Sequence, residues 1–321
     1  MGHNARGALL ALLAFAIFST HDVIVKTLGD TYSPFQIVFF SVFFGFPLVT
    51  IMLIRDSEPG HLRPVHLWWT LFRTLATVIT GASAFYAFST IPMAQTYAIL
   101  FAAPLLITIL AIPILGETVR LRRWIAVIVG LCGVLIVLRP GTTDLSLGHV
   151  AALVAAVFSS FSSIIVRKIG QDERSVVLLL YPMLANFVLM GALMPFVYQP
   201  MPVAHLGGLA LMSAMGFVAS ALVIAAYKAG EAVVVAPMQY SQILWAALYG
   251  VLFFDEYPDG MTLLGATVII ASGTYIVLRE GRSQASDNTP VLRSRTRLDT
   301  GTLPRVGLVL RLVRKKPKAR Q

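Results

Sequence analysis

A few charged side chains interrupt the long apolar segments of this chain, and they are the residues with chemistry to offer. Asp22 and Lys26 stand four positions apart in the first apolar run, and Arg73 stands in the third. Residues four apart share one face of a helix, so the carboxylate and the ammonium are expected on the same face. Burying an ionised group without a partner is costly, so each of the three needs a partner or a function.

Two interpretations of Asp22 and Lys26 are open. They form an ion pair within one helix that reaches toward the nearer surface, which contributes little stability. Alternatively, Asp22 faces a central cavity, where its carboxylate binds a cationic substrate or carries a coupling proton. The neighbouring His21 points about 100° away around the helix and is expected to be a packing or interface residue.

Arg73 has two interpretations as well. It lies about seven residues into its segment, near enough to the end for its guanidinium to reach the surface, with Glu117 as a candidate partner. Its planar fork of donors also suits a substrate carboxylate or phosphate.

Aromatic and amide side chains add a second group of candidates. Gln239, Gln242 and Trp245 are spaced to share much of one helix face. Such side chains suit a planar, polar, uncharged or weakly charged metabolite through stacking and hydrogen bonding, although polar contacts between helices would use the same residue types. The predicted substrate-binding residues are Asp22, Lys26, Arg73, Tyr86, Tyr97, Gln239, Tyr240, Gln242 and Trp245.

Residue patterns typical of catalysis or metal binding do not accompany these candidates. The six histidines are scattered over termini, loops and segment ends, and the single cysteine, Cys132, lies in an apolar run. None of the histidines forms a metal-spaced pair with a carboxylate, and there is no glycine-rich phosphate loop. We therefore expect no catalytic residue, no metal and no cofactor, and predict that the protein is not an enzyme.

The composition identifies the environment of these residues. Of 321 residues, 57% are hydrophobic and 12% are charged, and the mean hydropathy is +0.79, whereas an ordinary soluble domain has about 25% charged residues. The net charge of +10 lies mostly in one place, because residues 1–281 hold 14 basic and 13 acidic side chains and residues 282–321 hold 11 and 2. The sequence predicts an all-α membrane protein in a lipid bilayer. It predicts no nucleic-acid partner, and it predicts a basic, disordered cytoplasmic tail at 282–321.

Ten apolar runs are long enough to cross a bilayer core of about 30 Å. The first resembles a signal peptide in its short apolar core after Arg6, but the repeat described next requires it as a helix. With a cytoplasmic N-terminus, the short inner connections hold 11 Lys and Arg and the outer ones hold 2, so the positive-inside rule places both termini in the cytoplasm. The runs are 7–28, 34–54, 67–89, 94–115, 122–138, 148–168, 176–197, 206–228, 232–253 and 261–278.

An internal repeat relates the two halves of the chain. The segments 133–141 and 273–281 are identical at six of nine positions, and Gly116-Glu117 is echoed by Asp255-Glu256. Because each half has five crossings, an odd number, the halves must be inverted relative to each other, which is a transporter architecture. The predicted units are 7–141 and 148–281.

Several short motifs are shared with a known family: Leu71-Phe-Arg73, Pro92, Pro104, Leu115-Gly-Glu117 and a glycine-rich segment ending Leu138-Arg-Pro-Gly141. In these motifs the chain resembles the drug/metabolite transporter (DMT) superfamily, EamA type. His21 to Lys26 and Tyr240 to Trp245 are similar to the branch of bacterial S-adenosylmethionine and riboflavin uptake transporters. Ser41 departs from the pattern, since family members often have arginine there, and so does Ile243, where the repeat would place a second proline.

The sequence therefore predicts a secondary-active transporter of a small organic metabolite in the inner (cytoplasmic) membrane. Amino acids, nucleosides, S-adenosylmethionine and vitamins are the candidate substrates, with a proton as the possible coupling ion. Pro104 is expected to bend the fourth helix, whereas the ninth, with Ile243, is expected to contact substrate instead. Ala126 and Gly130 could face another helix or a second protomer in a homodimer. The alternatives are a lipid-modifying membrane enzyme and a scaffold or channel.

Overall fold

The computed structural model describes residues 3–54, 62–116, 121–140, 145–169, 172–230 and 232–282. Regular structure in these residues is helical. Glu117 and the predicted tail, apart from Arg282 at the end of the last helix, lie outside them. The first half holds α1 (His3–Gly29), α2 (Pro34–Ile54), α3 (Leu67–Thr90), α4 (Met93–Leu100), α5 (Ala103–Leu115) and α6 (Leu121–Leu138). The second half holds α7 (Leu147–Ile169), α8 (Ser175–Val197), α9 (Val203–Ala229), α10 (Ala232–Val235), a 3-10 segment (Ala236–Tyr240), α11 (Ser241–Phe254) and α12 (Gly260–Arg282).

Helices account for all ten apolar runs, with ends within a few residues of the predicted ones. Within the described ranges, six segments are long and apolar enough to cross a membrane, counting α4 and α5 as one, and three shorter apolar stretches lie in α2, α6 and α12. The remaining run is divided among α10, the 3-10 segment and α11. The all-helical class and the multi-pass character are thereby confirmed.

The fourth run is broken, as expected, but the break lies before the proline. The helix α4 ends at Leu100, a turn follows at Phe101 and Ala102, and α5 begins at Ala103. Pro104 stands in the first turn of α5, where a missing N–H is harmless because that turn has no intrahelical acceptor. Its missing N–H leaves the carbonyl of Leu100 without its usual donor, so the first helix stops there.

The ninth run is broken as well, which the contrast between Pro104 and Ile243 did not predict. A 3-10 segment separates α10 from α11 and carries Pro237 in its first turn. Ile243 lies beyond the break, inside α11. The proline that marks this break lies six residues upstream of the position where the repeat suggested one.

The ends of the two broken passages also correspond. Both α5 and α11 end at a residue in the left-handed conformation, Gly116 with φ 68° and Asp255 with φ 54°. This conformation is the commonest helix ending and is normally taken by glycine. The Gly116-Glu117 and Asp255-Glu256 echo in the sequence therefore marks the same backbone position in both halves.

The same helix pairs are obtained when each helix is replaced by its counterpart in the other half of the chain. The largest interfaces are those of α3 with α7, α1 with α9, and α6 with α12. Exchanging each helix for its counterpart in the other half turns the α3–α7 pair into the α9–α1 pair and turns the α6–α12 pair into itself. Two halves related by a two-fold axis produce such a pattern.

Small residues bring α6 and α12 into close contact. A Cβ added at Gly265 would lie 2.6 Å from the carbonyl oxygen of Gly133, and one at Gly130 would meet the hydroxyl of Ser272 and the side chain of Leu105. Ala126 is also buried, in a cluster that includes Ile276 of α12. Ala126 and Gly130 thus face helices of the same chain, which removes them as an argument for a homodimer.

Replacing Gly265 by alanine tests this contact. The added methyl group forces α6 and α12 apart, and overpacking of this kind costs about 1–3 kcal/mol. We expect a lower melting temperature of the detergent-purified protein by tryptophan fluorescence. Gly207→Ala on α9 is the matched control, since a Cβ there meets nothing within 4 Å; equal melting temperatures for the two variants would contradict the packing described.

Candidate substrate site

Asp22 lies where the two broken passages meet α1. Its side chain is 2% exposed, and the hydroxyl of Tyr97 donates a hydrogen bond to its Oδ2. The amide of Gln242 in turn donates to the Tyr97 hydroxyl, with 3.0 Å between Nε2 and the oxygen. Tyr97 belongs to the last turn of α4 before its break, and Gln242 to the first turn of α11 after its break. Three predicted site residues are thus brought into direct contact.

His21 is a member of this group that the sequence did not identify. Its Nδ1 lies 2.7 Å from Oδ1 of Asp22, and its ring meets Phe85 edge-on at 6.5 Å between centroids. The side chain is 4% exposed, so it is not a residue of the lipid interface. The adjacent His-Asp pair in an otherwise apolar helix was the available signal.

Aromatic rings connect the two breaks. The Tyr97 ring lies 5.2 Å from Phe88 and 5.8 Å from Phe101, and Phe101 lies 5.1 Å from Tyr240. Phe101 is the turn residue of the first break, and Tyr240 ends the 3-10 segment of the second. Ring faces attract planar and cationic groups, so the polar cluster is bordered by surfaces that suit an organic ligand.

The other candidates on the second broken passage lie around this centre. Trp245 is half-buried and stacks on Tyr249 at 6.0 Å. The Tyr249 hydroxyl lies 3.0 Å from the hydroxyl of Thr20 on α1, so this pair also faces the helix that carries Asp22. Gln239 is half-buried within the 3-10 segment.

Lys26 has an ion-pair partner from a distant part of the chain. Its ammonium lies 2.8 Å from Oε1 of Glu256, which follows α11. It also donates to the carbonyl of Ile91 at 3.0 Å. Lys26 therefore joins helix ends, one turn along α1 from the Asp22 cluster.

Arg73 and Tyr86 occupy other parts of α3. Arg73 is 2% exposed and donates a hydrogen bond to the carbonyl of Leu178 on α8. It stands fifteen residues before Phe88, about 22 Å along the helix axis, which separates it from the Asp22 cluster. Tyr86 is half-buried, one residue from the ring that meets His21.

Comparison with known proteins identifies the family of this chain. The EamA-like transporter family matches the chain twice, over residues 5–139 and 146–279. The chain belongs to the EamA-like transporter family. It is therefore a multi-pass integral membrane protein of the inner membrane, in a family of transporters.

Individual relatives cover nearly the whole fold at low identity. An S-adenosylmethionine uptake transporter of Rickettsia prowazekii (strain Madrid E) is 26% identical over 278 residues, 86% of this chain and 93% of the relative. A riboflavin transporter of Vibrio cholerae is 27% identical over 293 residues, 85% and 93% of the two chains. A pseudopaline exporter of Pseudomonas aeruginosa is 25% identical over 269 residues, 83% and 94%.

A solved crystal structure shares the fold. It superposes with a TM-score of 0.59 at 18% sequence identity and covers 86% of this chain and 97% of its own.

Replacing Tyr97 by phenylalanine tests the cluster. The ring contacts with Phe88 and Phe101 remain, but the buried side chains of Asp22 and Gln242 lose the hydroxyl between them. Leaving a buried polar group without its partner costs about 1–3 kcal/mol, so we expect a lower melting temperature. Tyr275→Phe, at an exposed position of α12, should leave the melting temperature unchanged. Equal melting temperatures for the two variants would show that the Tyr97 hydroxyl does not stabilise the fold.

Proposed function

We propose that this protein is a secondary-active transporter of a small organic metabolite, which works by alternating access. The observation that carries the proposal is the contact of Asp22, Tyr97 and Gln242. A buried carboxylate on α1 accepts a hydrogen bond from Tyr97, beside the break of one helix, and the Tyr97 hydroxyl accepts one from Gln242, beside the break of another. Transporters place their substrate sites at discontinuous helices because the helix ends and freed backbone groups line a cavity. The proposal assigns no catalytic residue and no cofactor.

The proposed topology has ten crossings in two inverted five-helix repeats, 7–141 and 148–281, with both termini in the cytoplasm. Matching breaks, matching left-handed helix ends and the exchange of helix pairs between the halves support it. The contacts between helix ends support it as well, because the residues in each contact lie on the same predicted side of the membrane. Lys26 with Glu256 and Arg139 with Asp259 lie at predicted outer ends, whereas Lys168 over Trp69 lies at a predicted inner end.

The site favours a planar, polar metabolite that carries a positive charge. Asp22 offers a carboxylate, Gln242 offers an amide, and the rings of Phe101, Tyr240 and Trp245 offer stacking surfaces. Of the relatives' named substrates, S-adenosylmethionine joins a purine ring to a cationic sulfonium, which fits both features. Amino acids, nucleosides and vitamin-like compounds such as riboflavin are the other members of the proposed range.

A proton on Asp22 is the proposed coupling ion. The chain contains no nucleotide-binding motif, so an ion gradient is the proposed driving force. In this proposal Asp22 exchanges its proton against a bound substrate, and His21 and the Tyr97 hydroxyl are among the groups that contact it.

Asp22→Asn tests the coupling in proteoliposomes. Asparagine keeps the size and polarity of the side chain but cannot carry a proton. We expect that uptake no longer responds to an imposed pH gradient. Counterflow between equal pools of labelled and unlabelled substrate should continue at saturating concentration, with a higher KM because the carboxylate that pairs with the cationic substrate is lost. Uptake by the variant that still follows the pH gradient would remove Asp22 as the coupling group.

Gln239→Ala and Trp245→Ala test the site on the second broken passage. The loss of a stacking surface worth about 0.5–1.5 kcal/mol corresponds to roughly 2- to 12-fold weaker binding. Affinity is measured by thermal shift of purified protein against amino acids, nucleosides, S-adenosylmethionine and riboflavin. Trp68→Ala is the matched control, because Trp68 is exposed on α3 and should not affect binding. If neither site variant changes the affinity, the substrate is held elsewhere.

A further inference from the structure

The ammonium of Lys26 is enclosed by groups from two other parts of the chain, the end of α3 and the end of α11. It lies 2.8 Å from Oε1 of Glu256, 3.0 Å from the carbonyl oxygen of Ile91 and 3.4 Å from that of Phe88. The Phe254 ring lies below it, 5.3 Å from the nitrogen to the ring centre. Lys26 is 6% exposed, so its charge depends on these partners.

Glu256 uses its second oxygen for another helix. Oε2 accepts a hydrogen bond from the backbone N–H of Met93, the first residue of α4, at 3.0 Å. Negative charge is favourable at a helix N-terminus because the first N–H groups have no intrahelical acceptor. One carboxylate therefore ties the end of α11 both to α1 and to the start of α4.

The same three helices are tied a second time at the substrate site. Asp22 stands one turn before Lys26 on α1, Tyr97 stands one turn after Met93 on α4, and Gln242 belongs to α11. We call the contacts of Glu256 with Lys26 and Met93 the outer tie. Access to Asp22 from the Lys26 end therefore requires these helices to separate at the outer tie.

The outer tie is built so that it can separate. The Glu256 side chain is 20% exposed and lines a cavity of about 290 Å³ whose other walls include Pro92, Gln95, Gly250 and Tyr257. A cavity of this size can hold water, which would offer the carboxylate an alternative to Lys26. An ion pair with one partner already near water costs less to open than a fully buried one.

We propose that Lys26 and Glu256 form the outer latch of the transport pathway, closed in this structure and broken when the pathway opens at that end. This inference rests on the proposed alternating-access function. It makes Lys26 a positioning residue and not a substrate ligand, and it gives Glu256 a role that the sequence alone did not suggest.

The test measures access to a buried cysteine in right-side-out membrane vesicles. Cys132, the single native cysteine, is replaced by serine, and Ala246→Cys is introduced on α11, between Gln242 and Glu256, where the side chain is fully buried. Lys26→Met, Glu256→Gln and the double variant are then compared by their rates of labelling with a membrane-impermeant maleimide. Each single variant is expected to label at least about fivefold faster than its parent, which corresponds to about 1 kcal/mol. The double variant is expected to label no faster than the singles, because one interaction is lost in all three.

Two further variants separate a latch from a general loosening. Lys26→Arg keeps the charge and should label at close to the parental rate. Arg139→Gln breaks the nearby pair with Asp259, which joins the end of α6 to the start of α12, and should also leave the rate unchanged. Hydrogen bonds from Thr262, and then from Arg139, hold the pKa of Asp259 below its ordinary value, so this control also removes a formed interaction. If Ala246→Cys fails to fold, Ala94→Cys on α4, which is buried and lines the same cavity, replaces it.

The latch proposal is wrong if Lys26→Met and Glu256→Gln label at the parental rate. It is also wrong if the fold-increase in rate of the double variant equals the product of the two single fold-increases. The assay needs no substrate. A protein that opens on loss of the pair but neither binds nor transports any compound would retain the latch and contradict the proposed function.

Discussion

The structure depends on accommodating one buried carboxylate in an apolar helical bundle. An ionisable group at the centre of a membrane-spanning helix costs about 2.5–3.5 kcal/mol on insertion scales, and Asp22 is almost fully buried in the second half of the apolar helix α1. Its stabilisation comes from a hydroxyl, an imidazole and, through the hydroxyl, an amide. These groups come from α1, α4 and α11, so the position of one charge determines how three helices must meet.

The broken helices make this meeting possible. In a continuous helix the backbone N–H and C=O groups form hydrogen bonds within the helix. Its side chains pack closely and leave no room for a cavity in the interior. Each break ends one helix and starts another, with a proline in the first turn of the new piece, at Pro104 and at Pro237. The turns bring Phe101 and Tyr240 together, so this contact between aromatic rings exists because the helices stop. In transporters with such broken helices, alternating access is largely a rocking or gating of one repeat against the other around the fixed site.

Much of the fold is readable from the sequence, because apolar length and turn residues fix helix ends. The ten runs match helices closely, and the echo between Gly116 and Asp255 marks equivalent helix ends. The breaks were harder to place, since proline disturbs the carbonyl four residues earlier and the helix stops before the proline itself. Ile243 was misleading because the proline of that passage stands upstream. The site was only partly predictable: Asp22, Tyr97 and Gln242 were candidates separately, but their contact joins residues 75 and 145 positions apart. The pairing of Lys26 with Glu256 spans a still longer separation, which helical periodicity does not report.

The most direct test of the account is a structure with a ligand selected by the thermal-shift panel. The account predicts that the ligand lies within hydrogen-bonding distance of Asp22 and Gln242, against the rings of Phe101 and Tyr240. A ligand bound instead at Arg73, between α3 and α8, would show that the junction of the broken helices is not the substrate site.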